Sequence, residues 1–198
     1  GYKADVVVVR KGEPWKVTAA VGASELIRRF SPDCIVSTGV AGGIDACLKV
    51  TDVVASQRLV YHDVWCGDGN EYGQVQGFPA SYEGCSSLLK HALSLNEAGM
   101  ESRIHSGLVC TGDQFITNRT ELDTIKQRFP DGLAVDMESA AIAQTCYLYN
   151  VPFLSFRIIS DTPGVEDHAS QYADFWGTMA ERSFLTIWTF LSTLPSNL

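Results

Sequence analysis

Positive charge is scarce in this 198-residue chain: 15 Lys and Arg stand against 23 Asp and Glu, for a net charge of −8. A protein that holds a phosphate backbone needs a basic stripe, so nucleic-acid binding is excluded as an expectation, whereas a small uncharged nucleoside is not. No apolar run reaches the ~18 residues of a membrane-spanning helix, so no membrane partner is expected. No targeting leader is expected either, as Gly1-Tyr2-Lys3-Ala4-Asp5 passes directly into the strand-like residues 6–9. The six cysteines (34, 47, 66, 85, 110 and 146) never fall at the short spacing of a zinc or redox motif. Cys34 and Cys110 sit in apolar runs, where cysteine acts as a small hydrophobe, and reduced structural thiols suit a reducing cytoplasm. The four histidines (62, 91, 105 and 168) form no ligand cluster, so neither metal nor cofactor is expected. Without a repeat, low-complexity tract or linker, residues 1–198 read as one domain.

What is present is an alternation of strand and helix. The β-branched residues 6–9 read as a buried strand, and Lys11-Gly12-Glu13-Pro14 breaks it. Helical spacing runs over 18–30 and stops at Ser31-Pro32-Asp33. Strands are predicted at 34–38, 53–61, 103–111, 133–137 and 153–160, and helices at 86–98, 119–128, 138–149 and 171–191. Between them, residues 62–82 carry Gly, Asp, Asn and aromatics without a period, a long loop of the kind that often serves function. The alternation predicts a single-domain three-layer α/β/α fold with a mostly parallel or mixed central sheet. In such sheets ligands bind outside the carboxyl ends of the strands.

Several strands end in polar residues that a core would not select. Gly39-Val40-Ala41-Gly42-Gly43 reads as a tight turn, or as a place where backbone amides approach a ligand; it matches neither a dinucleotide-binding glycine motif nor a P-loop. Asp136-Met137-Glu138 puts two carboxylates at a strand–helix junction. Glu138 there can be a helix N-terminal residue, but a carboxylate at this edge also suits a sugar diol. Arg157 lies inside an apolar strand and needs a partner, for which Asp136 and Glu138 are the candidates. Asp161 is a turn residue or a general acid held by the neighbouring Ser160. Phe115 and Ile116, just past another strand, are core residues or a surface for a flat heterocycle.

Six motifs stand in a family's order: Thr38-Gly39-x-Ala41-Gly42-Gly43, Tyr61-His62-Asp63, Glu71-Tyr72-Gly73-Gln74, Gly112-Asp113-x-Phe115-Ile116, Met137-Glu138-x-x-Ala141-Ile142-Ala143 and Arg157-x-Ile159-Ser160-Asp161. From about Lys16 to Trp188 the chain resembles the nucleoside phosphorylase/nucleosidase superfamily, most closely the 5′-methylthioadenosine/S-adenosylhomocysteine nucleosidases. The resemblance implies a nucleoside phosphorylase-like fold and hydrolysis of an N-glycosidic bond. It implies that Asp161 donates a proton to adenine N7, with Ser160 orienting it. Glu138 would hold the ribose hydroxyls, with Met137 packing on the sugar and Ala41 and Gly42 lining the site. Phe115 would stack on adenine while the Ile116 backbone reads its edge. Arg157 would help place the attacking water, and Tyr172, aligned through a one-residue insertion, would cover the alkylthio end. A homodimer is implied as well, with residues 65–82 closing the neighbour's site.

Two departures accompany the resemblance. The family's first strand and its Met-x-x-Glu-type segment, whose glutamate activates water, have no counterpart before Val6, so about one βα unit is expected to be missing; Glu13, the nearest acid, lies in the wrong segment. Val40 replaces a usual serine and removes a hydroxyl near the ribose. Two other readings stay open. A phosphate-dependent purine nucleoside phosphorylase would want an arginine where Ser37-Thr38 stand. A non-catalytic nucleoside-binding domain would keep the adenine and ribose contacts without turnover.

Overall fold

A computed structural model describes residues 15–100, 102–163, 165 and 168–195. The strand expected at residues 6–9, the break after it and Glu13 lie outside the described residues.

The first helix, α1 (Lys16–Phe30), forms because Ala19, Ala23 and Ile27 repeat every four residues and bury one stripe. Arg28 and Arg29 occupy its last turn, where the helix dipole favours cations. Ser31 in the left-handed region stops it, donating its N–H to Ile27 O at 2.9 Å. The strands are β1 (Ile35–Gly43), β2 (Val53–Tyr61), the two-residue β3 (Tyr82–Glu83), β4 (Ile104–Thr111), β5 (Gly132–Asp136) and β6 (Phe153–Asp161). Helices α2 (Ser86–Ser94), α3 (Arg119–Arg128) and α4 (Ser139–Tyr149) separate the later strands. α3 starts at Asn118, whose side chain accepts from Glu121 N at 3.0 Å. The chain then runs from α5 (His168–Asp174) through a π-helical turn (Phe175–Met179) into α6 (Ala180–Ser192), so the single helix expected over 171–191 is widened near its start.

Among the described residues the strands order as β3-β2-β4-β5-β1-β6, and an added β2–β6 pairing closes β2, β4, β5, β1 and β6 on one another. β1–β6, β2–β4 and β4–β5 are parallel; β1–β5, β2–β3 and β2–β6 are antiparallel. The sheet is therefore mixed, because β1 and β6 cross the other long strands instead of continuing one parallel series. β6 is buried along all nine residues, as expected of a strand covered on both faces. One core cluster joins α1 and α4 to the sheet through Ala23, Ile142 and Ile159. A second joins α2 and the C-terminal helices to it through Leu88, Phe156 and Phe190. A third, including Ile116, Leu122 and Phe129, seats α3.

The glycine-rich segment after Thr38 is not the turn expected from sequence. It continues β1, with a bulge between Ala41 and Gly42 where the strand leaves β6 to meet β5. Gly39 is required by packing: a Cβ there would sit 2.3 Å from Arg157 Nη1. Val40 faces the other way and packs against the second cluster. All six cysteines are unpaired thiols. Cys110 and Cys146 are buried, and burial pushes the Cys146 thiol up to about 12, which keeps it protonated and inert. Among the described residues no helix is long and apolar enough to cross a membrane.

Candidate active site

The strand crossing at Gly42 determines where the site residues meet. Gly42 pairs with Val135 of β5 on one side and with Asp161 of β6 on the other. The carboxyl ends of β5 and β6 thus lie two strand spacings apart, roughly 10 Å. Thr111 at the end of β4 pairs with Asp136, which brings the loop carrying Phe115 to the same edge. A Cβ on Gly42 would stand 2.7 Å from Pro163 Cγ, so only glycine lets the segment after Asp161 pass this close.

At the β5 end the sequence builds a buried polar cluster. Arg157 Nε lies 2.8 Å from Asp136 Oδ2, and its Nη2 lies 3.5 Å from Glu138 Oε2. The same guanidinium donates to Ser139 Oγ at 3.0 Å and to Ser37 Oγ at 3.2 Å. Asp136 accepts from Thr111 Oγ1 at 2.6 Å, from the Ser139 amide at 3.2 Å and from the Ser139 hydroxyl. An ion pair this deep is tolerated because three hydroxyls and a backbone amide also bond its two members. Both carboxylates proposed from sequence as partners of Arg157 are its partners.

The two carboxylates have different exposures. The Asp136 side chain is 1 % exposed and the Glu138 side chain 19 %. Asp136 is therefore internal and unavailable to a sugar, while Glu138 remains the carboxylate a diol could reach. Glu138 occupies the N-cap position of α4, yet its side chain makes no capping bond. Glu138 is thus the helix N-terminal residue that the sequence allowed, while it is Asp136 that accepts the Ser139 amide of the first turn.

At the β6 end, Asp161 is buried, and Ser160 donates its hydroxyl to Asp161 Oδ1 at 2.5 Å. Ser160 Oγ also lies 3.4 Å from the carbonyl oxygen of Ala41, itself buried in β1. Asp161 is thus a carboxyl held by its neighbour at a strand end, as proposed from sequence.

Phe115 and Ile116 divide the two readings between them. Ile116 is buried in the third core cluster. Phe115 is 56 % exposed and meets Tyr172 edge-on at 5.9 Å between ring centroids. Phe115 is therefore not core, and the residue aligned through an insertion, Tyr172, lies against it. Met137, between Asp136 and Glu138, is half-buried.

Sequence reasoning assigned no role to the charged group at the foot of the Phe115 loop. Lys16 Nζ lies 2.9 Å from Asp63 Oδ2 and 3.5 Å from Asp113 Oδ2. Beside them His62 is buried, and burial holds its pKa below the ordinary histidine value. Tyr61-His62-Asp63 and Gly112-Asp113 were visible as motifs, but their joining by Lys16, some fifty and a hundred residues away in sequence, depends on how α1 docks.

Residues 2–192 match the family described as the phosphorylase superfamily. A 5′-methylthioadenosine/S-adenosylhomocysteine nucleosidase of Chromohalobacter salexigens is 43 % identical over 167 residues, covering 84 % of this chain and 71 % of that protein. One from a Geobacillus species is 38 % identical over 192 residues, covering 96 % and 82 %. Among solved structures, the Neisseria meningitidis nucleosidase in complex with methylthio-immucillin-A superposes with a TM-score of 0.85 at 34 % identity, covering 91 % of this chain and 78 % of its own. That of Colwellia psychrerythraea in complex with adenine gives 0.83 at 36 % identity, covering 90 % and 74 %. The chain thus belongs to the phosphorylase superfamily and, within it, to the 5′-methylthioadenosine/S-adenosylhomocysteine nucleosidases.

Proposed function

We propose that this protein hydrolyses the N-glycosidic bond of 5′-methylthioadenosine and S-adenosylhomocysteine, releasing adenine and the 5-thioribose product. The observation that carries the reading is the placement of Asp161 and Glu138 at the ends of β6 and β5, on opposite sides of Gly42. Side chains reaching from both ends can touch the base and the sugar of one nucleoside. Cleavage builds negative charge on the leaving base and positive charge on the ribose. Asp161, held by Ser160, supplies the proton that neutralises the first at adenine N7. Glu138 binds the ribose hydroxyls and stabilises the second. Arg157, neutralised by Asp136, holds Glu138 in place and borders the attacking water. Met137, Ala41 and Gly42 line the sugar, Phe115 offers its face to adenine, Ile116 its backbone, and Tyr172 covers the 5′ substituent. No metal or organic cofactor enters these steps.

A phosphorolytic reaction is disfavoured by the charge around Arg157. Its guanidinium already faces two carboxylates and two hydroxyls, and Ser37 stands where such enzymes would want a further cation. A homodimer fits the apolar side chains left outside on α1 and α4: Val17 and Val21 beside Tyr147, Leu148 and Tyr149 are all exposed on two helices that pack together. The work would be done in the cytoplasm, as the reduced thiols suit, and would serve methionine salvage. The test is adenine release from 5′-methylthioadenosine with and without added phosphate. Equal rates are expected; release only with phosphate would make the protein a phosphorylase, and none in either condition would make it a binding module.

A further inference from the structure

We infer that Lys16 is a positioning residue for the adenine-binding loop, holding residues 112–116 in place through Asp63 and Asp113. The inference rests on the proposed function, because that reading makes Phe115 the stacking surface. The loop leaves β4 at Thr111. Its first amide, Gly112 N, donates to Asp136 O at 3.0 Å. Its second, Asp113 N, donates to Asp63 Oδ2 at 2.9 Å. The loop is therefore already tied to the Arg157 cluster on one side and to the end of β2 on the other.

Those ties put two carboxylates together. Asp63 and Asp113 share an amide contact, and like charges at this range repel unless a cation lies between them. Lys16 is that cation: Nζ reaches both Asp63 oxygens at 2.9 Å and Asp113 Oδ2 at 3.5 Å, and lies 5.2 Å from the Tyr61 ring centroid. The Lys16 and Asp63 side chains are about one-fifth exposed, so solvent screens the pair only partly.

The backbone and the ammonium of Lys16 do separate jobs. Lys16 N, at the start of α1, donates to Asp113 Oδ1 at 2.9 Å, a carboxylate meeting the positive end of a helix. That contact survives any side-chain replacement and keeps α1 docked. Only the ammonium bridges to Asp63. From below, the His62 ring fills the space under Gly112, where a Cβ would come within 2.3 Å of it, so the loop cannot sink. Removing the ammonium leaves the repelling carboxylates one direction in which to part, which moves Asp113 and, two residues on, Phe115.

The experiment compares wild type, Lys16→Met, Lys16→Arg and the double variant Lys16→Met/Asp113→Asn. It measures the dissociation constant of adenine, KM and kcat for 5′-methylthioadenosine, and Tm. Lys16→Met is expected to weaken adenine and raise KM about tenfold, with kcat changing less than threefold. Lys16→Arg should restore both to within about threefold, since its cation reaches the same carboxylates. The double variant Lys16→Met/Asp113→Asn lacks one of the two repelling carboxylates and keeps the backbone contacts, so it should recover most of the adenine affinity that Lys16→Met loses. Unchanged adenine affinity in Lys16→Met would overturn the inference, as would a double variant no better than Lys16→Met, or loss of kcat in proportion to a lowered Tm with no rescue by arginine. A wild type that neither binds nor releases adenine would remove the functional reading, and this inference with it.

Discussion

The ends of β5 and β4 carry two parts of the proposed site, and they are built differently. At the end of β5, Arg157, Asp136, Ser139 and Thr111 are buried and bonded to one another. At the end of β4, Phe115 stands more than half exposed against Tyr172, and the charges at its foot are partly in solvent. The part proposed to face the sugar is thus a piece of core with one carboxylate, Glu138, turned outward. The part proposed to stack on the base is a loop fixed by a few long-range contacts. The first should fail by unfolding and loss of chemistry together, the second by loss of binding alone.

The sharpest break comes from Asp136→Ala. It leaves Arg157 buried beside only the more distant Glu138, and removing one partner of such a pair costs about 3–5 kcal/mol. Chemical denaturation should show that loss together with loss of adenine release; a stable variant with full activity would mean the cluster organises neither fold nor site. Glu138→Gln, at the exposed edge of the same half, should keep Tm but lower kcat about 100-fold. If wild type cleaves 2′-deoxy substrates as fast as their parents, the ribose role of Glu138 is wrong. Phe115→Ala tests the other half. It should raise KM and the adenine dissociation constant about tenfold, as loss of one base–aromatic stack does, with Tm unmoved because the ring is exposed. A drop in Tm without weaker adenine binding would return Phe115 to the core.

The smallest expected effect is a pH dependence at the boundary of the halves. Burial, the largest influence on His62, holds its folded-state pKa below the ordinary value, although Asp63 and Asp136 pull the other way. The unfolded chain therefore takes up the proton first as pH falls. The contribution of His62 to stability is complete above about pH 6.5 and declines as pH drops from there toward the folded-state pKa. Tm measured from pH 7.5 to 5.5 should fall less steeply for His62→Gln than for wild type; parallel curves would mean that another group controls that slope.

The buried half was the more legible in sequence. An arginine inside an apolar strand demands a partner, and Asp136 and Glu138 were nameable before any coordinates. What local pattern could not supply was the division of labour between them, which follows from β4 reaching Asp136 with Thr111 while Glu138 faces outward. The continuation of β1 through Gly39-Val40-Ala41-Gly42-Gly43 was read as a turn because glycine normally breaks strands. Here it is required by Arg157 pressing on Gly39 and Pro163 on Gly42, contacts that link residues more than a hundred positions apart. The closure of the sheet by β2–β6 was likewise hidden, since strand–helix alternation reports local order and not which distant edges meet. In the exposed half, Phe115 could be read either way because an aromatic after a strand looks the same in a core or a binding surface. Lys16 gives no sequence signal, because an isolated lysine at a helix start carries no pattern.

The proposed role of Asp161 as proton donor to the leaving base is tested by Asp161→Asn. Asparagine keeps the shape and the contact with Ser160 but cannot give up a proton to adenine N7. With 5′-methylthioadenosine at saturation, kcat should fall by roughly 10²–10⁴, while adenine still binds within a few-fold of wild type. An unchanged kcat in a folded Asp161→Asn protein would contradict the account.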